Sequence, residues 1–218
     1  NGDRTIVFST FQDMNGRDVG GIYSKSTAWL MERIRTKEDY FMYYNSVGEV
    51  AVNDVYKTLS FAFVNGGYWK INQFHFIEGR PFTEQECLNK DAYVVLREDM
   101  AGMFFKRESV VGKKMEIQGR EYTVIGVVRN FPTYAIRADG IWIPHVFNSF
   151  SPRGFGYYDL GVLFPRDVPV QNMKEDVAVA VKDYWRQINM QVDVKPENLY
   201  TFREARIDNF GSDLYAYG

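Results

Sequence analysis

Between Glu78 and Pro132 the chain places an acid-rich turn, a strand, a short helix and a β-hairpin in quick succession. Ala92 to Leu96 read as a compact apolar strand, and Met100, Met103 and Phe104 recur at i, i+3 and i+4 on a short helix. Lys113–Gln118 and Glu121–Arg129 then alternate, setting Met115 and Ile117 against Tyr122 and Val124, with Gly119 at the tip as a tight hairpin prefers. Elements this short cannot stand alone, so the stretch must build a small mixed lobe.

The flanking pieces are larger in scale. Ile6-Val7-Phe8 is a short strand in an otherwise polar opening. From Ser26, the apolar face of Thr27, Leu30, Met31 and Ile34 predicts an amphipathic helix, with Ser24 or Ser26 as its N-cap. Tyr40–Tyr44 and Leu59–Val64 predict two or three strands around the polar VGEVAVNDVYK. Asn65-Gly66-Gly67 breaks that pattern before a short helix at Tyr68–Phe74, and Ile141–Pro144 adds a strand. The Ser, Gly and Pro-rich NSFSPRGFG at 148–156 marks a boundary. Beyond it come a strand at Tyr157–Phe164, a helix at Val170–Ile188 and a strand near Leu199–Phe202. The helix carries Met173, Val177, Ala180, Val181, Tyr184, Trp185 and Ile188 on one face, which reads as core. Helix and strand of similar scale thus flank a middle piece that reads as an insertion.

Two lobes fit a chain of 218 residues. A net charge of −2 supplies no positive field for nucleic acid, so that partner class is set aside. Cys87 is the sole cysteine, which excludes an intramolecular disulfide and leaves the redox compartment open. No run approaches the roughly 18 apolar residues of a membrane span, and no signal-peptide pattern opens the chain. The chain begins Asn1-Gly2-Asp3 without Met, so a piece of a longer protein with membrane segments in the flanks is expected.

Catalytic and metal patterns read as structure. Gly16 to Gly21 lacks the lysine of a phosphate loop, since Ile22 follows Gly21. Asp13, Asn15 and Asp18 have the glycine too early for a calcium loop and no closing Glu. His75 and Glu78 could meet on a helix, and they carry what there is of an enzyme reading. Cys87 lies in the acidic, surface-like TEQECLNK with nothing near it to activate a thiol. Glu84 and Glu86 sit with Arg80 and Thr83 in a polar turn, where Thr83 and Glu86 fit the S/T-x-x-E capping box. No catalytic, cofactor or metal residue is assigned. Tyr134, Trp142, Phe147, Phe150 and Phe155 fall in loops or at boundaries, where they are as ready to meet a partner as to cover the middle lobe.

Glu78-Gly79-Arg80-Pro81-Phe82-Thr83, then Val111-Gly112-Lys113-Lys114, Gly119, Tyr122-Thr123-Val124-Ile125-Gly126-Val127-Val128 and Phe131-Pro132, resemble the extracytoplasmic core domain of MacB/FtsX-type ABC transporter permeases. That family's middle commonly reads like LEGRxFTxxD and PVGKxIxIxGxxYTVVGVVxDFP. Asn130 stands where an Asp is usual. The resemblance implies an α+β fold, a porter-like lobe of two β-α-β halves with an inserted small mixed lobe. The expected division is 1–82 with 151–218 for the first and 83–150 for the second.

It further implies a non-catalytic domain on the periplasmic or extracytoplasmic face of a bacterial inner membrane, coupling cytoplasmic ATP hydrolysis to export or mechanotransmission. Expected partners are the permease's own transmembrane helices beyond both termini, an ABC ATPase, a second copy in a dimer, and a periplasmic adaptor, peptide or lipoprotein client. The domain itself would carry no cofactor, ATP and Mg being bound by a separate cytoplasmic nucleotide-binding domain. Tyr134, Arg137, Trp142, Phe150 and Phe155 are the expected partner contacts. The alternatives are an extracytoplasmic ligand-sensing or lipoprotein-binding module, which needs a concave aromatic pocket, and a soluble hydrolase built on His75 and Glu78.

Overall fold

The computed structural model describes residues 1–22, 24–105, 109–131, 140–148 and 158–204, with the backbone alone at 24 and 25. In chain order the elements are β1 (Thr5–Phe8), β2 (Thr10–Gln12), β3 (Asp18–Gly21), α1 (Ser24–Arg33), β4 (Asp39–Val52), β5 (Val55–Val64), α2 (Gly66–Asn72) and β6 (Phe76–Gly79). There follow α3 (Glu84–Leu88), β7 (Tyr93–Arg97), α4 (Glu98–Phe105), β8 (Lys114–Ile117), β9 (Arg120–Val128), β10 (Ile141–Pro144), β11 (Asp159–Leu163), α5 (Val170–Gln187) and β12 (Tyr200–Thr201). Two compact units result, 1–42 with 150–218 and 43–149. The discontinuous arrangement was expected, but the first break falls at Tyr43 instead of Thr83. Residues 43–82 belong with the middle stretch because β4 and β5 form a ladder from Tyr43↔Val64 to Val52↔Val55.

In the first unit the strands run in the order β12-β1-β11-β4, with β1 antiparallel to both β11 and β12. β1-α1-β4 and β11-α5-β12 are therefore two interleaved β-α-β halves, the split arrangement of ferredoxin-like lobes. The helices form where the apolar spacing predicted them. Thr27, Leu30, Met31 and Ile34 are buried, as are Met173, Val177, Ala180, Val181, Tyr184 and Trp185. Trp29 meets Tyr184 at 6.0 Å between ring centroids, and Phe11 meets Trp185 edge-on at 6.2 Å. Ile188, expected in the stripe, lies one residue past α5 and is exposed. Gly161 is needed in β11, because a Cβ there would stand 2.0 Å from the Phe41 ring.

The second unit is a mixed sheet whose pairings close on themselves. β5 pairs with β4 and β10, β7 with β10 and β9, and β8 with β9 and β4, giving a ring of six strands with β6 added to β9. The closure is partial, since β10 pairs with β5 only at Ala62–Val64 and β8 meets β4 only at Val50 and Ala51, which leaves the exposed first half of β5 paired with β4 alone. Asn53 and Asp54 at φ 47° and 61°, and Gln118 and Gly119 at φ 50° and 75°, give the two hairpins turns with the positive φ that matches strand twist. The polar spacer expected between the two strand runs is thus itself strand and turn.

Trp69, Trp142, Phe74, Phe76 and Phe82 pack ring on ring with centroids 5.2–5.8 Å from Trp69 or Phe74. Trp142 is fully buried there. In α4 the buried face is Ala101 and Phe105, while Met103 is exposed, so the apolar periodicity was read one position off. Asn130 accepts the Asp99 N–H at 3.1 Å and so caps the start of α4, without adding a third carboxylate beside Glu98 and Asp99.

Candidate functional site

The signature Glu78–Glu86 assembles into a joint of interlocked backbone and side-chain contacts. Glu78, on β6, accepts hydrogen bonds from the Ser109 hydroxyl and from the Val110 and Val111 N–H groups, the latter at 3.0 Å. Burial opposes its ionisation, yet these donors outweigh it and hold the carboxyl below its ordinary range. Gly79 turns at φ +64°, where any Cβ would meet the Ile125 carbonyl oxygen at 2.0 Å. Gly126 admits the other side of the same approach, with the Arg80 carbonyl oxygen 2.4 Å from where its Cβ would lie.

Arg80 then grips Glu86 through both arms of its guanidinium, at 2.9 and 2.6 Å. Thr83 and Glu86 complete the expected capping box, Thr83 Oγ1 accepting the Glu86 N–H at 3.2 Å and Glu86 accepting the Thr83 N–H at 2.8 Å. The Arg80 guanidinium first, and the Thr83 donors after it, bring the Glu86 carboxyl down to about 2. Phe82 points inward, 1% exposed and 5.2 Å edge-on from Trp69. Each motif residue is therefore engaged in holding the small lobe's geometry.

His75 and Glu78 do not form a catalytic pair. His75 is exposed at the start of β6, its carbonyl accepting the Arg129 N–H at 2.9 Å, and the Glu78 carboxylate is turned to residues 109–111. Asp13 is equally committed, its carboxylate accepting the Asn15 N–H and the Arg17 N–H and side chain. Cys87 is not on the surface: α3 turns it inward to 0% exposure. Burial first, and then the Glu84 and Glu86 carboxylates, push its thiol pKa up, so it is no nucleophile.

Of the expected partner contacts, Trp142 is corrected to a core residue, because β10 is central in the ring and carries it between β5 and β7. Tyr134, Arg137, Phe150 and Phe155 lie outside the described residues. Phe147 is half-buried, edge-on to Tyr122 at 5.4 Å and beneath the Arg120 guanidinium at 4.8 Å. These side chains edge a groove of about 440 Å³ that the sequence reading missed. Phe61, Phe63 and Ile143 form its floor and Gln118, Arg120 and Glu121 its polar rim. Tyr122, pushed up to about 12 by burial against a smaller opposing pull from Arg120, remains a neutral phenol. Phe61, Phe63 and Tyr122 are at most 3% exposed, so the groove presents mainly polar atoms to solvent. Strand alternation marks these residues as core, and nothing in it signals a groove.

The fold is shared with solved extracytoplasmic regions of transporters. The periplasmic region of MacB from Actinobacillus actinomycetemcomitans superposes with a TM-score of 0.70 at 17% identity, over 84% of this chain and 85% of that one. The extracellular domain of the noncanonic ABC-type transporter YknZ from Gram-positive bacteria gives 0.68 at 15% identity, over 86% and 98%. No curated protein matches in sequence. These likenesses define the class of fold, that of the extracytoplasmic regions just named. Residues 3–196 match the model of the MacB-like periplasmic core domain, and the chain belongs to that family. Among the described residues no helix is long and apolar enough to cross a membrane.

Proposed function

We propose that this domain transmits the work of cytoplasmic ATP hydrolysis to a client or partner across the envelope, in export or mechanotransmission. The observation that carries the reading is the joint built by the family signature. Glu78, Arg80, Phe82, Thr83 and Glu86 are all interlocked within the second unit by hydrogen bonds or packing, the bracing that a body conveying a displacement needs. Two states of such a machine differ by hinge or shear displacement of stiff bodies, set by differential contacts. In this reading the permease's transmembrane helices carry the domain, an ABC ATPase binds ATP and Mg, two copies work as a dimer, and the client is a peptide, lipoprotein or periplasmic adaptor.

The test uses the full permease with its ATPase in membranes, spin-labelled at Thr58, an exposed position on β5. The label-to-label distance between two copies is expected to change between nucleotide-free and ATP-bound states. An unchanged distance in an ATPase-active preparation sinks the transmission reading.

A ligand-sensing module is the second reading, favoured by the groove beside Phe147 and Tyr122. Its polar rim of Gln118, Arg120 and Glu121 suits a small polar ligand, and the buried floor disfavours a large apolar one.

A further inference from the structure

Three side chains outside the signature's hydrogen bonds converge in the second unit. Glu84 and Cys87 lie three apart on α3, which puts them on one helix face, and His145 follows β10 at the start of a 3-10 turn. Their donor atoms all lie within 4.8 Å of one another. His145 Nε2 stands 3.4 Å from Glu84 Oε1. Tetrahedral bonds of about 2.1 Å to nitrogen and oxygen place those two atoms about 3.4 Å apart, and a bond of about 2.3 Å to sulfur places the thiolate about 3.6 Å from each. The nitrogen–oxygen edge is already at that spacing. The sulfur edges have at most about 1.2 Å to close.

The surroundings orient the carboxylate. The Gly66 N–H donates to Glu84 Oε2 at 2.8 Å, leaving Oε1 on the side of the histidine. Gly66 is required for this approach, since a Cβ there would stand 2.4 Å from the Glu84 nitrogen. Outer-shell donors of this kind set the orientation of metal ligands. The site grades from buried to wet: Cys87 is 0% exposed, and the side chains of His145 and Glu84 are 16% and 41% exposed. One sulfur, one imidazole nitrogen and one carboxylate oxygen form a donor set for a borderline-soft divalent ion, with a fourth position open to water.

We infer that Glu84, Cys87 and His145 form a binding site for a zinc-like divalent metal ion. Binding replaces the thiol proton, which passes to solvent, so a thiolate and a carboxylate neutralise the ion's charge. The inference is independent of the transmission reading.

The test titrates this chain, kept reduced, with Zn²⁺ and with Co²⁺ as a spectroscopic probe. One equivalent of Zn²⁺ is expected to bind with a dissociation constant below about 10 µM and to raise Tm. The Co²⁺ complex should show a sulfur-to-metal charge-transfer band. Glu84→Gln and His145→Gln should each weaken Zn²⁺ binding at least about tenfold, and Cys87→Ser should abolish the band. Zn²⁺ binding weaker than about 1 mM, a Co²⁺ complex without the thiolate band, or wild-type affinity in the two glutamine variants overturns the inference. If Cys87→Ser fails to fold, the wild-type band and the two glutamine variants decide the matter alone.

Discussion

Arg80 and Glu86 lie six residues apart and meet through two parallel hydrogen bonds of 2.9 and 2.6 Å, while Glu86 also closes the N-cap of α3 at Thr83. One carboxylate thus ties the turn after β6 to the helix that carries Cys87. That dual role makes it a pH-sensitive member of the joint, alongside Glu78.

Glu86→Gln is expected to cost about 1–2 kcal/mol at pH 7, through the weakened cap and the lost pair. Arg80 is half-exposed, so solvent screening keeps the pair's share small. The sign follows from linkage. The Glu86 carboxyl is at about 2 in the folded state against 4.5 as the ordinary value, so its contribution is present above about pH 4.5 and lost as pH falls towards 2. Urea unfolding of wild type and variant should show a gap at pH 7 that narrows by about pH 3. A gap independent of pH would locate the effect elsewhere.

Gly79 and Gly119 both have positive φ, at +64° and +75°, but differ in what surrounds them. Gly119→Ala meets open space and should cost about 1–2 kcal/mol of backbone strain. Gly79→Ala adds a collision with the Ile125 carbonyl oxygen and should cost about 3 kcal/mol or more. Thermal unfolding of the two variants side by side measures the difference.

Trp142→Ala should behave as a core deletion, losing about 3–5 kcal/mol, because the indole is fully buried against Trp69 and Phe74. A variant with wild-type stability would contradict the packing described. Any loss of transport in such a variant must therefore be read against its folding.

Cys87 should resist thiol-reactive dyes in the folded chain. Burial and two nearby carboxylates disfavour its thiolate. Labelling in metal-free buffer at pH 7 is expected on the order of 100-fold slower than in denaturant, with opening of the lobe limiting the rate. Equal rates would place the thiol at the surface.

Much of the fold was legible because it is written in short-range pattern. The helices at α1 and α5, the Met115–Tyr122 hairpin and the Thr83–Glu86 cap each depend on spacing within a few residues, and periodicity reports such spacing directly. The family resemblance came from the same kind of residue, since Gly79, Gly126 and Thr83 answer to steric and hydrogen-bonding demands that few other residues meet.

What the sequence determined by itself, then, was the identity of the local pieces and the family they spell. The tertiary structure alone decided which of those pieces share a core. The first break lies at Tyr43 because a long antiparallel ladder outweighs chain proximity. Trp142 is interior because β10 is paired on both sides. Cys87, in an acidic stretch that reads as surface, is buried and faces His145 because strand closure brings α3 and the end of β10 together. Such juxtapositions depend on burial and pairing between residues far apart in the chain, and local periodicity carries no record of which distant partner satisfies them.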